Sequence, residues 1–73
     1  MNWVVEFGDT LKPALDCQVD AAVECIRSQK DICFSITDPV SNKSFKSTCK
    51  YISEKQVIFI NQETETQRNA YLV

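Results

Sequence analysis

The chain has 73 residues, with 8 basic and 10 acidic side chains, no histidine, a single glycine and 4 cysteines. That length holds one small domain, residues 1–73, and the 44% apolar content suffices for one core. Without histidine there is no Ser-His or Cys-His pair, no imidazole proton shuttle and no histidine metal ligand; with only Gly8 there is no glycine-rich phosphate loop. These gaps weigh against an enzyme, and no cofactor is expected.

Met1 to Glu6 has no basic start and meets an acid at once, so no secretory signal is read there. The apolar run Val57-Ile58-Phe59-Ile60 falls far short of the ~20 residues a membrane helix needs. A complete small cytoplasmic product with reduced thiols, away from membranes, is the expectation.

Trp3 to Phe7 reads as a strand, punctuated by Gly8. Asp9 or Thr10 then serves as a helix N-cap, with Pro13 in the first turn. Leu11, Leu15, Val19, Ala22 and Ile26 recur at helical spacing, which predicts a helix from about Leu11 to Gln29. The run Gly8-Asp9-Thr10-Leu11-Lys12-Pro13-Ala14-Leu15 resembles the strand-to-helix junction of HicB-type antitoxins, where a similar GDTLxxAL run opens a helix packed on a sheet. The resemblance covers eight residues. More strands precede the helix in that family than are read here, and no function is carried over.

The period then changes to two. Ile32, Phe34 and Ile36 alternate with Cys33, Ser35 and Thr37, and Asp38 to Lys43 is turn chemistry. Ser44 to Ile52 and Gln56 to Gln62 complete a meander across the turn at Ser53-Glu54-Lys55. Pairing Thr37 with Ser44 sets Ile36 opposite Phe45, Phe34 opposite Ser47 and Ile32 opposite Cys49, all on one face. The polar stretch from Glu63 to Asn69 leads to Ala70-Tyr71-Leu72-Val73, a further short apolar element. The expected fold is α+β, one amphipathic helix on a mainly antiparallel sheet, ordered β-α-β-β-β with room for a short C-terminal element after it. Leu15, Val19, Ala22 and Ile26 should face Phe34, Ile36, Phe45 and Phe59.

One helix covers one face of a sheet. If Val57 and Phe59 point to the helix, Ile58 and Ile60 stand on the open face, with Val4 a candidate neighbour, unless the C-terminal tail folds over them or the register shifts by one. Lys46 and Lys50 share that face. Ile58, Ile60, Lys46 and Lys50 are therefore the candidate partner-binding residues, for a second copy or a protein target. A second candidate is the acidic helix ridge of Asp16, Asp20 and Glu24, spaced by four. Cys17, Cys25, Cys33 and Cys49 lack metal or CxxC spacing, and free thiols without metal are expected.

The leading expectation is a non-catalytic protein-binding module, a small inhibitor or adaptor. Domains of this size are frequent among phage and mobile-element products that block a host or defence enzyme. The alternative is a single-stranded nucleic-acid or RNA binder using the Lys46 and Lys50 face, though Phe45 and Tyr51 point inward and leave it without an aromatic platform. A small thiol enzyme using Cys17 or Cys33 is a further alternative.

Overall fold

The computed structural model describes residues 2–73. Its elements run β1 (Trp3–Phe7), β2 (Thr10–Pro13), α1 (Asp16–Ser28), β3 (Ile32–Thr37), β4 (Ser44–Ser53), β5 (Gln56–Asn61) and β6 (Gln67–Leu72). The strands form one sheet in the order β2-β1-β6-β5-β4-β3, with every neighbouring pair antiparallel. The α+β class holds. Two strands go beyond the β-α-β-β-β core: β2, between the first strand and the helix, and β6, in the place of the expected short C-terminal element.

The first addition corrects the start of the helix. Thr10 to Pro13 is an edge strand, and α1 begins at Asp16 rather than near Leu11. Gly8, at φ 59°, and Asp9 form a two-residue hairpin turn closed by the pair Phe7 and Thr10. Positive φ at the first turn position alone matches the type II′ geometry that glycine favours. The residues that resemble the HicB-type junction thus build a hairpin rather than opening the helix. Pro13 ends an edge strand, where its missing N–H costs no ladder bond. The helix cap is Leu15, whose N–H donates to Gln18 Oε1 at 2.9 Å. At the other end Gln29 takes the left-handed conformation, φ 54°, and stops the helix.

The second addition is β6. The tail does not fold over the open face. It enters the sheet between β1 and β5, pairing Trp3 with Leu72, Val4 with Tyr71 and Val5 with Ala70. The hairpin register expected for β3 and β4 holds pair for pair, from Thr37 with Ser44 to Ile32 with Cys49.

α1 links the two edge strands, so the chain must cross one whole face of the sheet between β2 and β3. It lies against β3 and β4. Its buried stripe is Gln18, Ala21, Ala22 and Cys25, flanked by half-buried Val19 and Ile26. That stripe is rotated from the expected one, because the small side chains of Ala21, Ala22 and Cys25 let the helix sit close to the sheet. They meet Trp3, Val5, Cys49, Val57, Phe59 and Ala70. Val5 and Val57 are fully buried, each contributing about 1.5–3 kcal/mol. Phe34 is half-buried and meets Phe59 edge-on, with ring centroids 5.7 Å apart. Phe45 and Leu15 lie outside this cluster and line a groove at the N-terminal end of α1.

Candidate functional site

The side of the sheet away from α1 has no element over it among the described residues. Register fixes its residues row by row. Lys50 pairs with Ile58 and Ile58 with Asn69, while Glu6, one residue beyond the Val5–Ala70 pair, stands level with Asn69. A second row runs Val4, Tyr71, Gln56, and a third runs Gln67, Ile60, Thr48, Cys33. Lys46 pairs with Ser35 further along. Ile58 and Ile60 are half-buried, between neighbours that are mostly polar, and Lys46 and Lys50 are exposed. The alternation assigned to β5 is therefore correct: Val57 and Phe59 lie in the core and Ile58 and Ile60 on the open face.

Several polar groups of this face are tied to one another. Gln56 Nε2 donates to Asn69 Oδ1 at 3.2 Å, and Gln62 Nε2 donates to Thr48 Oγ1 at 3.0 Å. The Tyr71 hydroxyl donates to Glu6 Oε2 at 3.3 Å. Local desolvation, the Glu6 charge and this bond all hold the Tyr71 phenol above its ordinary pKa, so it stays a donor at neutral pH. Tyr71 supplies the aromatic group that the face lacks when only the meander is considered. It was detectable in the alternation of Ala70 and Leu72 with Asn69 and Tyr71.

The acidic ridge is elsewhere. Asp16, Asp20 and Glu24 are exposed on α1, on the opposite side of the molecule from Ile58 and Lys50. Asp16 sits in the first turn, where a negative charge suits the helix dipole. The ridge lies on α1 and shares no contact with the open face.

The helix side carries a feature absent from the sequence reading. Where α1 stops short, a half-open groove of about 640 Å³ is floored by Ile36, Phe45 and Phe59. On its rim the Arg68 guanidinium lies 4.2 Å from the centroid of Phe7, and Lys12 Nζ lies 5.3 Å from it. These cations come from β6 and β2; β2 is absent from the expected order, and β6 is expected only as a short C-terminal element.

All four cysteines are free. Cys25 and Cys49 are buried together, Cys25 Sγ donating to the Cys49 carbonyl at 3.4 Å. Burial pushes both thiols above their ordinary pKa, which keeps them protonated and poor nucleophiles. Cys33 is exposed on the open face. The groups at its sulfur are the Thr48 hydroxyl and the Gln62 amide, neither of them a base. Among the described residues no group of three or more His, Cys, Asp or Glu side chains could hold a metal ion. No described helix is long and apolar enough to cross a membrane. Comparison with family models, curated proteins and solved structures returns no match.

Proposed function

We propose that the chain is a non-catalytic protein-binding module, a small inhibitor or adaptor, that associates through the open face of its sheet. One observation carries this reading: Val4, Ile58, Ile60 and Tyr71 share a sheet face that no helix covers among the described residues. Apolar side chains on such a face gain free energy when a partner removes them from water. The polar groups around it are already held by Gln56–Asn69, Gln62–Thr48 and Tyr71–Glu6 bonds, so little side-chain freedom is lost on docking. The composition supports a role without catalysis, and four free thiols fit a reducing cytoplasm.

The test is a pair of variants, Ile58→Asp and Ile60→Asp. Both sites are half-buried on the open side, so each variant should keep its far-ultraviolet circular dichroism and melt cooperatively. Association, measured by sedimentation velocity, should be abolished. A variant that unfolds instead assigns the residue to the core.

Nucleic acid is the second reading, favoured by Tyr71 on the same face as Lys46 and Lys50. Against it, Glu6 places a carboxylate beside the tyrosine hydroxyl. Anisotropy of a labelled single-stranded oligonucleotide decides. Binding that falls steeply between about 50 and 200 mM salt supports nucleic acid.

A further inference from the structure

We propose that the partner of the open face is a second copy of this chain, docked face to face about a two-fold axis running along the strands, midway between β5 and β6. The inference rests on the association reading above and specifies its occupant. Six strands place that axis at the centre of the sheet, with β6, β1 and β2 on one side and β5, β4 and β3 on the other. A two-fold along the strands preserves level and exchanges β5 with β6, β4 with β1 and β3 with β2.

The charges match under that operation. Lys50 on β4 and Glu6 on β1 belong to one row across the sheet. Lys50 of one copy therefore lies over the partner's Glu6, and symmetry makes the contact twice. Glu6 accepts the Tyr71 hydroxyl through Oε2, which leaves Oε1 for an ammonium group. Thr48 stands level with Gly8 across the sheet, so Lys46, four residues from Lys50, lies just past the Gly8–Asp9 turn, on the side where Asp9 carries its carboxylate. The same axis brings Ile58 and Ile60 within one strand spacing, about 4.8 Å sideways, of their own counterparts. Packed sheets stand about 10 Å apart, a gap that interleaved isoleucines fill.

Charge also rejects the competing axes. A two-fold perpendicular to the strands and passing near the level of Thr48 or Lys50 lays β4 on β4 and sets lysines of one copy against lysines of the other. An axis along β4 itself does the same. Like charges brought together in an interface oppose association. In the accepted arrangement both helices face outward.

The experiment is sedimentation equilibrium of the full chain over a concentration series, with circular dichroism as the fold check. Wild type should sediment as a dimer. Lys50→Glu and Glu6→Lys should each weaken dimerisation by about tenfold or more. The double variant Glu6→Lys with Lys50→Glu restores both pairs in reversed polarity and should recover most of the affinity. Glu6→Gln, which can still accept the Tyr71 hydroxyl, should weaken association without disturbing the fold. Zero-length carbodiimide coupling of a mixed light and heavy nitrogen sample should yield a Lys50–Glu6 crosslink joining the two isotopic forms. A wild-type chain that stays monomeric up to about 1 mM, a range that covers weak association, overturns the two-fold pairing. So does a double variant no better than its singles. A dimer insensitive to the charge variants but lost in Ile58→Asp rejects this axis while keeping the open face as the association surface. A dimer unaffected by both Ile58→Asp and Ile60→Asp forms through another surface and overturns the two-fold pairing.

Discussion

Cys49 and Cys25 show how burial decides chemistry at the scale of one residue. Both sulfurs sit in the core between α1 and β4, and burial is the largest influence raising each pKa. A raised thiol pKa means that the folded state holds its proton where the unfolded chain releases one. The thiols' contribution to stability is then complete below pH 9, the ordinary thiol value, and is lost as pH rises from there towards the folded values. Denaturant titrations should show an unfolding free energy with no thiol-linked fall below pH 9 and a decline above it. Replacing Cys49 by alanine should make that alkaline slope shallower. A slope unchanged by Cys49→Ala would assign the alkaline loss to other groups. Thiol labelling gives a second check. A brief pulse on the native protein should modify Cys33 and, more slowly, half-buried Cys17, with Cys25 and Cys49 reacting only in denaturant. The inward direction of Cys49 is legible from the Phe45–Tyr51 alternation. Its contact with Cys25 is not, because helix rotation depends on which side chains are small enough to approach the sheet.

Among the elements, β3, β4 and β5 are legible in sequence because their apolar residues alternate and their turns carry Asp38-Pro39 and Ser53-Glu54-Lys55. That alternation also locates Ile58, Ile60, Lys46 and Lys50 on one face. β2 is not legible, since four exposed edge residues bury nothing and so display no period. Leu11 is 55% exposed, although it continues the helical spacing of Leu15 and Val19. The cost of misreading such elements can be measured. Ala22 lies fully buried where α1 meets the sheet, so Ala22→Leu should overpack the contact and lower stability by about 1–3 kcal/mol in denaturant titrations. The tail carries more. Removing Ala70 to Val73 deletes fully buried Ala70 and the Trp3–Leu72, Val4–Tyr71 and Val5–Ala70 pairings between β1 and β6. It leaves Trp3 and Val5 hydrogen-bonded in the sheet only through the short hairpin with β2. A hairpin alone is marginal in water. The truncated chain should be unfolded by circular dichroism. A cooperative melt near the wild-type temperature would show that the tail strand is dispensable.

At the scale of the whole molecule, the strand order has a simple origin. β4, β5, β6, β1 and β2 are successive neighbours in the sheet, and α1 then crosses the face to place β3 beside β4. The meander is interrupted in sequence only because the chain begins and ends between β6 and β1. No local pattern records that pairing, which is why the β1–β6 neighbourhood cannot be read from sequence although β1 and β5 themselves can. Asn2 and Val73 face each other as a hydrogen-bonded antiparallel pair, with Val73 N–H donating to Asn2 O at 2.8 Å and Asn2 N–H to Val73 O at 3.3 Å. That geometry is already the closing pair of a hairpin. An inserted Asn-Gly dipeptide should join Val73 to Asn2 as a two-residue turn. New ends belong between Val40 and Ser41, because Val40 is 94% exposed and the turn around it is held mainly by Asp38. Opening it makes β3 and β4 distant in sequence while making β1 and β6 adjacent. Loop-closure entropy varies slowly with length, so the exchange should change stability by no more than about 2 kcal/mol. The permuted protein should give a circular dichroism spectrum and amide chemical shifts close to wild type away from the two altered turns. A permutant that fails to fold, when opening at Val40–Ser41 by proteolytic nicking is tolerated, would show that Asn2 and Val73 are not paired in solution.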